Sequence, residues 1–465
     1  MVQLRDLPQP KGLPVLGHVV AISRTNVYEA LEGWAPSQGP LFTIDALGRR
    51  ILVVHDGDIA RQVIRARPTK FARYRVMRDV IEELGGKGVF TAEGDAWRRQ
   101  RRLVMAGFNS RALLASFDRV SEITERFREH LAGQEGRAVD VVGELMRYTI
   151  DVTGAVALGR DFDTIRRGPD VLRRHLQVLF PAIARRMSIP LPYWRYGVRL
   201  PIDRKAESSV QAVSAIISDL IREARTRLES ADDGPRNLIE ALLLARDDDD
   251  PTVMLSDDEV FSNVLTILLA GEDTTANTSA WMLHFASRIP RVFERLRAEA
   301  EEAFDGPVLP SHEAARKLPY TAAVAYEVGR HRPVGAIIFL EAIEDTELQT
   351  ERGSVFVPAN TPVFVMIRAI MNDPRNFGRP HEFLPERWLD DERPGGLAHS
   401  PKLDFSFGGG PRICPGRPLA LLETAMVASM VTKGFDLEPA NREVHERVGF
   451  TLGPDDLRLR FHRRG

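Results

Sequence analysis

The spacing of apolar and polar positions predicts a chain that is helical through its middle and carries short strands near both ends. Apolar residues recur at the spacing of amphipathic helices in the segments 59–66, 96–105, 121–131, 141–158 and 208–228. Runs rich in β-branched and aromatic residues, bounded by Gly and Pro, predict strands at 41–44, 51–54, 336–343, 354–367 and 449–462. We therefore expect an α+β fold that is mainly α.

Two stretches without this periodicity could divide the chain. One is the Gly234-Pro235 pair, and the other is the acidic run 247–250 that precedes Pro251. The motifs described below lie on both sides of these stretches, so we interpret both as surface loops within a single domain of residues 1–465. The acidic run is expected to be a solvated connection.

Composition narrows the class of protein and its partners. The 465 residues are 43% apolar and 28% charged, which is typical of a chain with a packed core. Because 63 basic residues are balanced by 65 acidic ones, for a net charge of -2, nothing favours nucleic acid as a partner. No apolar run approaches the roughly 20 residues of a membrane anchor. The one cysteine cannot form an internal disulfide, which fits a cytoplasmic protein, and we expect a monomer.

The residues around that cysteine, FGGGPRICPG at 407–416, combine several features suited to a reactive sulfur. Three successive glycines allow the loop to lie flat against a planar ligand. A helix is predicted to begin after Pro415, so its N-terminal amides would face the sulfur of Cys414 and favour thiolate over thiol. Arg412 adds a cation whose planar fork suits a carboxylate.

Other interpretations of this cysteine stay open at this point. A lone intracellular cysteine at the start of a helix is often inert. Zinc requires about four ligands, and no histidines cluster here, while a phosphate loop requires a lysine after its glycines. Iron in haem requires only one protein thiolate.

The cysteine segment resembles the haem-binding signature of the cytochrome P450 family. The fixed positions of that signature are matched by Phe407, Gly410, Arg412, Cys414 and Gly416. The resemblance implies a cytochrome P450 fold with haem b (iron protoporphyrin IX) between a long central helix and the cysteine-loop helix. Cys414 would be the metal ligand, and Phe407, Arg412 and Gly416 would help to bind the cofactor.

A long helix is predicted upstream of the cysteine. Ser256 and Glu259 form an S-x-x-E capping box, and the helix that it begins could run to about Arg288, roughly 50 Å. The AGEDTT sequence at 270–275 is unfavourable in mid-helix, since Gly271 costs up to about 1 kcal/mol relative to Ala. We expect a gap in the hydrogen-bond ladder that forms a groove, although a kinked core helix with an exposed polar patch has the same sequence features.

The same stretch resembles the oxygen-activating motif of the cytochrome P450 family. The motif is matched by Ala270, Gly271, Asp273, Thr274 and Thr275. The resemblance implies that Thr274 hydrogen-bonds to bound oxygen or to a nearby water, and that Asp273 relays protons. Ala270 would lie against the cofactor.

Glu327 and Arg330 lie three positions apart on a helix that is predicted to end before Pro333, so they share a face and can pair. Alone they would be an ordinary surface pair. Together with Arg387 of the PERW sequence they resemble the family's buried Glu-Arg-Arg network. The resemblance implies a structural role, in which the network fixes the cysteine loop.

Trp97 and Arg101, four positions apart in GDAWRRQRR, resemble the pair that contacts a haem propionate. A basic surface helix is the other interpretation of this segment. The chain departs from the family pattern at Leu340 and Glu341, where many relatives carry a basic partner for a propionate. Haem anchoring would then rely on Trp97, Arg101 and Arg412.

The resemblance implies a monooxygenase that inserts one atom of O2 into a lipophilic small molecule. Electrons would come from NAD(P)H through a separate ferredoxin or flavodoxin-type donor and its reductase, because no flavin segment and no further cysteine follows Cys414. A basic patch of Arg98, Arg102, Arg412 and Arg417 would dock this donor. The alternatives are desaturation, coupling or rearrangement on the same fold, and haem binding without turnover.

By the same resemblance, the substrate pocket would draw on several separate parts of the chain. These parts are the loop at 74–90, Ile267 and Ala270 on the long helix, the segment 334–338 and the Phe450 turn. Each of these apolar positions could instead belong to the plain core.

Overall fold

The computed structural model describes residues 2–108, 110–168, 171–189, 192–230, 234–247, 250, 252–351 and 353–464. Its helices are α1 (Val19–Arg24), α2 (Val27–Gln38), α3 (Gly57–Arg65), α4 (Arg75–Glu83), α5 (Gly94–Gly107), α6 (Ser110–Ala132), α7 (Val141–Thr153), α8 (Thr164–Arg167), α9 (Val171–Ser188), α10 (Pro201–Ser230), α11 (Leu238–Leu244), α12 (Asp257–Arg288), α13 (Pro290–Ala303), α14 (His312–Ala315), α15 (Pro319–His331), α16 (Ile367–Met371) and α17 (Arg417–Gly434). The strands are β1 (Val2–Gln3), β2 (Leu41–Ala46), β3 (Arg49–Val54), β4 (Phe71–Arg73), β5 (Val139–Asp140), β6 (Ile338–Ala342), β7 (Thr346–Thr350), β8 (Gly353–Val357), β9 (Pro362–Val365), β10 (Phe435–Pro439), β11 (Glu446–Val448), β12 (Leu452–Pro454) and β13 (Arg458–Arg463).

One compact unit is formed by Met1–Asp79 and Gly329–Cys414. Its main sheet has the strand order β2-β3-β9-β6-β4, in which β3 and β9 are parallel and the other pairs antiparallel. Strands β2 and β3 form a hairpin whose two turn residues, Leu47 and Gly48, have φ values of 51° and 78°, as a type I′ turn requires. A second sheet has the order β1-β8-β7. The apolar faces of these strands and of α3 share one core.

The other unit is formed by Val80–Val328 and Pro415–Gly465 and is mainly helical. Apolar residues from the first half of α12 pack with α9, α10 and α11 in one core. Residues from its second half pack with α6, α7 and α17 in another. The 270–275 stretch therefore lies where α12 passes from one core to the next. Strands β10, β13 and β5 form a small antiparallel sheet, and β11 and β12 form a hairpin.

The structure confirms the mainly α, mixed fold and most of the predicted elements. Helix α12 begins after the Ser256 capping box and ends at Arg288 as predicted. The periodicity does not predict α9, which contains Pro181, or α13, which begins at Pro290. Within the described residues, no helix combines the length and the hydropathy needed to cross a membrane. The single domain of residues 1–465 stays a prediction.

The acidic run differs from its prediction at its first residue. Asp247 is only 4% exposed, and Arg102 Nη2 lies 2.5 Å from Asp247 Oδ2. The expectation of a solvated connection is therefore wrong for Asp247. Asp248, Asp249 and Pro251 lie outside the described residues.

Candidate active site

Cys414 ends a closed loop that starts at Phe407. The Cys414 amide donates to the Phe407 carbonyl oxygen (2.9 Å), and the Ile413 amide donates to the Gly410 carbonyl oxygen (3.2 Å). Gly408 and Gly410 have φ values of 73° and 60°, in the left-handed region that glycine enters without steric cost. The Cys414 thiol is exposed, so its sulfur is accessible to a ligand.

The cysteine loop lies directly on the C-terminal end of α3. A Cβ on Gly410 would stand 2.9 Å from the Ile64 carbonyl oxygen and 3.2 Å from the Arg65 Cα. Because both of these atoms belong to backbone, neither can rotate away, and the close approach requires glycine at this position. Arg412 ends the short 3-10 turn that begins at Gly410. Gly416 is the N-cap residue of α17, so this helix begins after Pro415, as predicted.

Two fully buried arginines bind the segment that precedes the cysteine loop. Arg330 donates from Nη1 to the Met371 carbonyl oxygen (3.0 Å) and from Nη2 to the Pro380 carbonyl oxygen (2.8 Å). Arg387 donates from Nη1 to the Gly378 carbonyl oxygen (3.0 Å). Buried guanidinium groups are tolerated when their donors are satisfied in this way. The two arginines therefore fix neighbouring parts of one loop.

Glu327, the third member of the predicted network, is also fully buried. It lies on α15, which ends close to the residues that lead into the cysteine loop. A Cβ on Gly329 would stand 2.7 Å from Ser406 Oγ, so this part of α15 packs tightly there. The role of Glu327, Arg330 and Arg387 as one network stays a prediction.

The middle of α12 is helical without interruption. The Thr274 hydroxyl donates to the Ala270 carbonyl oxygen (2.7 Å). The helix is therefore not broken at this point, and the expected gap in its hydrogen-bond ladder stays a prediction. Close packing explains Gly271, because a Cβ there would stand 2.8 Å from Thr153 Oγ1 on α7. Ala270 is exposed and Thr274 is half-buried, so one face of the mid-helix is accessible.

Three side chains surround the Asp273 carboxylate. Asn277 Nδ2 donates to Asp273 Oδ1 (3.1 Å), and the Thr451 hydroxyl donates to Asp273 Oδ2. Arg447 Nη2 lies 4.0 Å from Oδ1. The Asp273 side chain is 11% exposed and that of Arg447 is 46% exposed. The carboxylate therefore points to the β11–β12 hairpin, and Arg447 connects it to solvent.

The preceding acid, Glu272, has a different environment. Arg173 Nε on α9 lies 3.6 Å from Glu272 Oε1, and both side chains are at most 5% exposed. Burial raises the pKa of Glu272 to about 8; the Arg173 charge opposes this rise and the Asp273 charge adds to it. Burial also lowers the pKa of Arg173. Burial therefore favours the protonated form of Glu272.

Trp97 and Arg101 lie one turn apart on α5, with Trp97 buried and Arg101 half-buried. Helix α5 is attached to the start of α12, where Arg99 pairs with Glu259. A contact of Trp97 or Arg101 with a haem propionate stays a prediction.

The predicted basic patch is partly neutralised. Arg98 pairs with Asp95, and Arg102 pairs with the buried Asp247. Arg417 donates to the Tyr326 hydroxyl (2.7 Å). A docking role for these arginines stays a prediction.

The predicted pocket segments carry aromatic side chains in each unit. In the mainly helical unit, Phe450 packs against Phe180 of α9, with ring centroids 5.7 Å apart. In the other unit, the Tyr74 and Phe364 rings lie 5.6 Å apart, edge to face. A function for these rings as pocket walls stays a prediction.

The departure from the family pattern at residues 340 and 341 has a local explanation. Leu340 is fully buried in the main sheet. Glu341 accepts a hydrogen bond from Arg49 Nη2 (2.6 Å). Leu340 therefore contributes to core packing, and Glu341 forms an ion pair with Arg49.

The sequence motifs do not identify the partners of Asp273 and Glu272. Asn277 lies four positions after Asp273 on α12, a spacing that predicts contact on a helix. This contact could therefore have been predicted from the sequence. Thr451 and Arg447 come from a hairpin more than 170 positions away in sequence, and Arg173 comes from α9. Local pattern gives no indication of such contacts.

The donor set fits a haem. The described residues contain no group of three or more His, Cys, Asp or Glu side chains that could hold a metal ion. A single exposed thiol remains, and haem iron requires only one protein thiolate. Because Gly408 and Gly410 have no side chains, the backbone of this loop can approach the flat haem ring closely.

Comparison with known proteins decides the family. The family model described as Cytochrome P450 matches residues 7–459. The chain belongs to the cytochrome P450 family. It is similar to cyclooctat-9-en-7-ol 5-monooxygenase of Streptomyces melanosporofaciens, with 29% identity over 92% of this chain and 89% of the relative.

Two further relatives extend the comparison. The chloroplastic carotene epsilon-monooxygenase of Arabidopsis thaliana is 26% identical over 92% of this chain and 80% of its own length. A self-sufficient cytochrome P450 monooxygenase of Aspergillus niger is 25% identical over 99% of this chain but only 43% of its own length. This cytochrome P450 is therefore a haem-containing monooxygenase that uses O2, an organic substrate and electrons from a redox partner.

Proposed function

We propose that Cys414 would hold the haem iron of this monooxygenase through its thiolate. The observation that carries this proposal is the closed loop from Phe407 to Cys414, which presents an exposed thiol beside two left-handed glycines. The amides at the start of α17 follow the cysteine and favour the thiolate form. Arg412, Trp97 and Arg101 supply the donors suited to the haem propionates.

The mid-helix residues of α12 deliver protons in this proposal. When bound, a thiolate-ligated haem supplies the chemistry that activates dioxygen for insertion into the substrate. The Thr274 hydroxyl lies on the accessible face of α12. It can leave the Ala270 carbonyl oxygen and form its hydrogen bond with a molecule on that face instead. The Asp273 carboxylate takes up a proton from solvent beside Arg447 and passes it to the Thr274 hydroxyl oxygen, which releases its own proton in turn. The methyl group of Ala270 leaves this face open.

The test of the proposed ligand is an absorption spectrum of the purified protein, reduced and exposed to carbon monoxide. The wild type is expected to show the strongly red-shifted Soret band of cysteinate-ligated iron. Cys414→His is expected to lose this band while retaining bound haem. A wild type that shows the band of histidine-ligated iron, or that binds no haem after reconstitution, would contradict the proposal.

The role of Thr274 is tested by replacing it with alanine. Thr274→Ala is expected to keep its haem but to divert electrons from product to peroxide, because the hydroxyl that transfers protons is lost. Thr278→Ala is the matched control, since the Thr278 hydroxyl donates to the Thr274 carbonyl oxygen (2.9 Å) on the same helix. Measurement of product and peroxide per reductant consumed separates the two variants. If both variants form the same amount of product per reductant consumed, Thr274 is not part of the proton route.

We propose a largely hydrocarbon terpenoid as the substrate. Two similar proteins have names that specify cyclooctat-9-en-7-ol and carotene as substrates, and the Phe180–Phe450 pair of the mainly helical unit would suit such molecules. Incubation with candidate terpenoids under labelled dioxygen tests this. One labelled oxygen atom per product supports monooxygenation, whereas unlabelled, dehydrogenated product would indicate desaturation.

We propose that the electrons come from NAD(P)H through a separate ferredoxin or flavodoxin-type protein and its reductase. The chain has one cysteine, too few for an iron–sulfur cluster of its own. The same composition supports a cytoplasmic setting. Reconstitution with each donor type is expected to give substrate-dependent reductant consumption, and consumption without any added donor would contradict a separate protein.

A further inference from the structure

A tyrosine on α15 holds the arginine that begins α17. Arg417 Nη2 donates to the Tyr326 hydroxyl oxygen (2.7 Å), and the Arg417 guanidinium carbon lies 5.6 Å from the centre of the Tyr326 ring. The second distance is within the range of a cation–π attraction. Both residues are half-buried. The guanidinium group is therefore held through two interactions with one side chain.

The position of Arg417 is unfavourable for the helix itself. Arg417 is the first residue of α17, and a cation in the first turn opposes the positive end of the helix macrodipole. The N-cap residue, Gly416, has no side chain that could cap the helix, and the first-turn sequence RPLA contains no acid. Helix stability therefore does not explain why an arginine stands at this position.

This positive end of α17 follows directly on the proposed iron ligand, because Arg417 comes three positions after Cys414. When the donor protein passes one electron to iron held at Cys414, one unit of negative charge is added beside the sulfur. A nearby cation lowers the free energy of this more negative, reduced state. An arginine side chain released into solvent is screened by water and salt, so its effect depends on where the side chain is held.

We infer that Tyr326 is a positioning residue that raises the reduction potential of this monooxygenase by holding the Arg417 charge at the start of α17. The step concerned moves one electron from the ferredoxin or flavodoxin-type donor to the iron, and no bond forms or breaks. Neither Tyr326 nor Arg417 is among the positions that match the family motifs described above. The inference rests on the thiolate ligand proposed above for Cys414.

The test is a spectroelectrochemical titration of the holoenzyme with small mediators. No donor protein is present, so a docking role of Arg417 does not affect the result. Arg417→Gln removes the charge and is expected to lower the equilibrium constant for reduction about tenfold, which corresponds to about 59 mV for one electron. Tyr326→Phe keeps the ring but loses the hydroxyl, and it is expected to lower this constant about threefold, or roughly 30 mV.

Three further variants separate positioning from a general effect on the fold. Tyr326→Phe in the Arg417→Gln background is expected to cause no further change in potential, because no charge remains to be held. Arg417→Lys keeps the charge and is expected to recover most of the potential that Arg417→Gln loses. Tyr320→Phe is the matched control on the same helix, since the Arg295 guanidinium carbon lies 4.1 Å from the centre of the Tyr320 ring. Its potential is expected to equal that of the wild type.

The outcomes distinguish this inference from the proposed ligand. If Tyr326→Phe has the wild-type potential, or lowers the potential equally in the Arg417→Gln background, Tyr326 does not act by holding Arg417. If Arg417→Gln keeps both the wild-type potential and the red-shifted carbon monoxide band, the inference is wrong and Cys414 stands as the ligand. If the wild type lacks that band, the ligand proposal fails, and this inference fails with it.

Discussion

At the scale of single residues, burial gives Glu272 a chemistry different from that of the adjacent Asp273. Its carboxyl has one cation nearby, at 3.6 Å, and its Oε2 has no hydrogen-bond partner among the described residues. An ionised carboxylate in such a site is poorly solvated, so the neutral form is favoured and the pKa rises to about 8. The folded state therefore holds this proton more tightly than the unfolded chain.

Glu272→Gln tests this difference through the pH dependence of stability. The folded pKa of Glu272 lies above the ordinary glutamate value of 4.5. The wild type therefore loses stability as the pH rises from about 5 to about 8, because the unfolded chain ionises first. Glutamine does not titrate. The free energy of unfolding of the variant, relative to that of the wild type, is therefore expected to rise across this range by at most ~5 kcal/mol. Urea unfolding at a series of pH values measures this difference.

The control for this prediction is Glu301→Gln, which replaces a half-exposed acid on α13. Its stability is expected to follow that of the wild type at each pH. A difference between Glu272→Gln and wild type that stays constant from pH about 5 to about 8 would show that Glu272 is ionised in the folded protein.

Sequence predicts the residues to which we assign chemistry better than it predicts the contacts around them. The proposed site residues Cys414, Asp273 and Thr274 lie in short motifs whose spacing is local, so a pattern can indicate them. The Thr451 hydroxyl reaches Asp273 only after the chain has folded. The pKa of Glu272 likewise depends on Arg173 and on burial, which no local window of sequence contains.

At the scale of elements, α12 shows how a residue that is unfavourable in a helix is retained. Gly271 lowers helix propensity by about 1 kcal/mol relative to Ala, and the helix is nevertheless continuous. A Cβ at this position would stand 2.8 Å from Thr153 Oγ1 and 3.3 Å from Thr153 Cγ2. The close approach of the Thr153 side chain on α7 to α12 therefore favours glycine at this position.

Gly271→Ala is expected to destabilise the protein despite its better helix propensity. Overpacking against Thr153 should lower the free energy of unfolding by roughly 1 to 3 kcal/mol. In a Thr153→Ala background the crowding is removed, and the same change should stabilise by up to about 1 kcal/mol. Denaturant unfolding of the two single variants and the double variant measures this reversal of sign. A destabilisation of equal size in both backgrounds would contradict packing as the cause.

The elements that sequence misses have identifiable reasons. Pro181 inside α9 interrupts the apolar pattern, although the helix continues through it. The sequence prediction ends α12 at about Arg288, and Pro290 follows two positions later. The same proline begins α13, because proline is favoured in the first turn of a helix. The capping box at Ser256 and Glu259, by contrast, consists of two side chains that bond each other's backbone, and it could be predicted from four residues.

At the scale of the whole molecule, charge is balanced overall but not locally. The net charge is -2, so recognition of a redox donor depends on local groups. The Arg102 side chain is 59% exposed, but its partner Asp247 is buried, so removal of Arg102 would leave a buried acid without this partner. The Arg98 side chain is 48% exposed and pairs with Asp95, which is almost fully exposed to solvent. Arg98 is therefore the member of the predicted basic patch on α5 that can be changed with the least disturbance of the fold.

Arg98→Glu is expected to slow reduction by an acidic ferredoxin about threefold or more at low salt, because electrostatic attraction raises the rate of encounter. The difference should shrink as added salt screens the charges. Arg222→Glu on α10 is the matched control, since Arg222 is an exposed arginine with an acid three positions away. Stopped-flow reduction at several salt concentrations measures both. Equal slowing by the two variants would indicate a general effect of net charge, and docking on α5 would then be wrong.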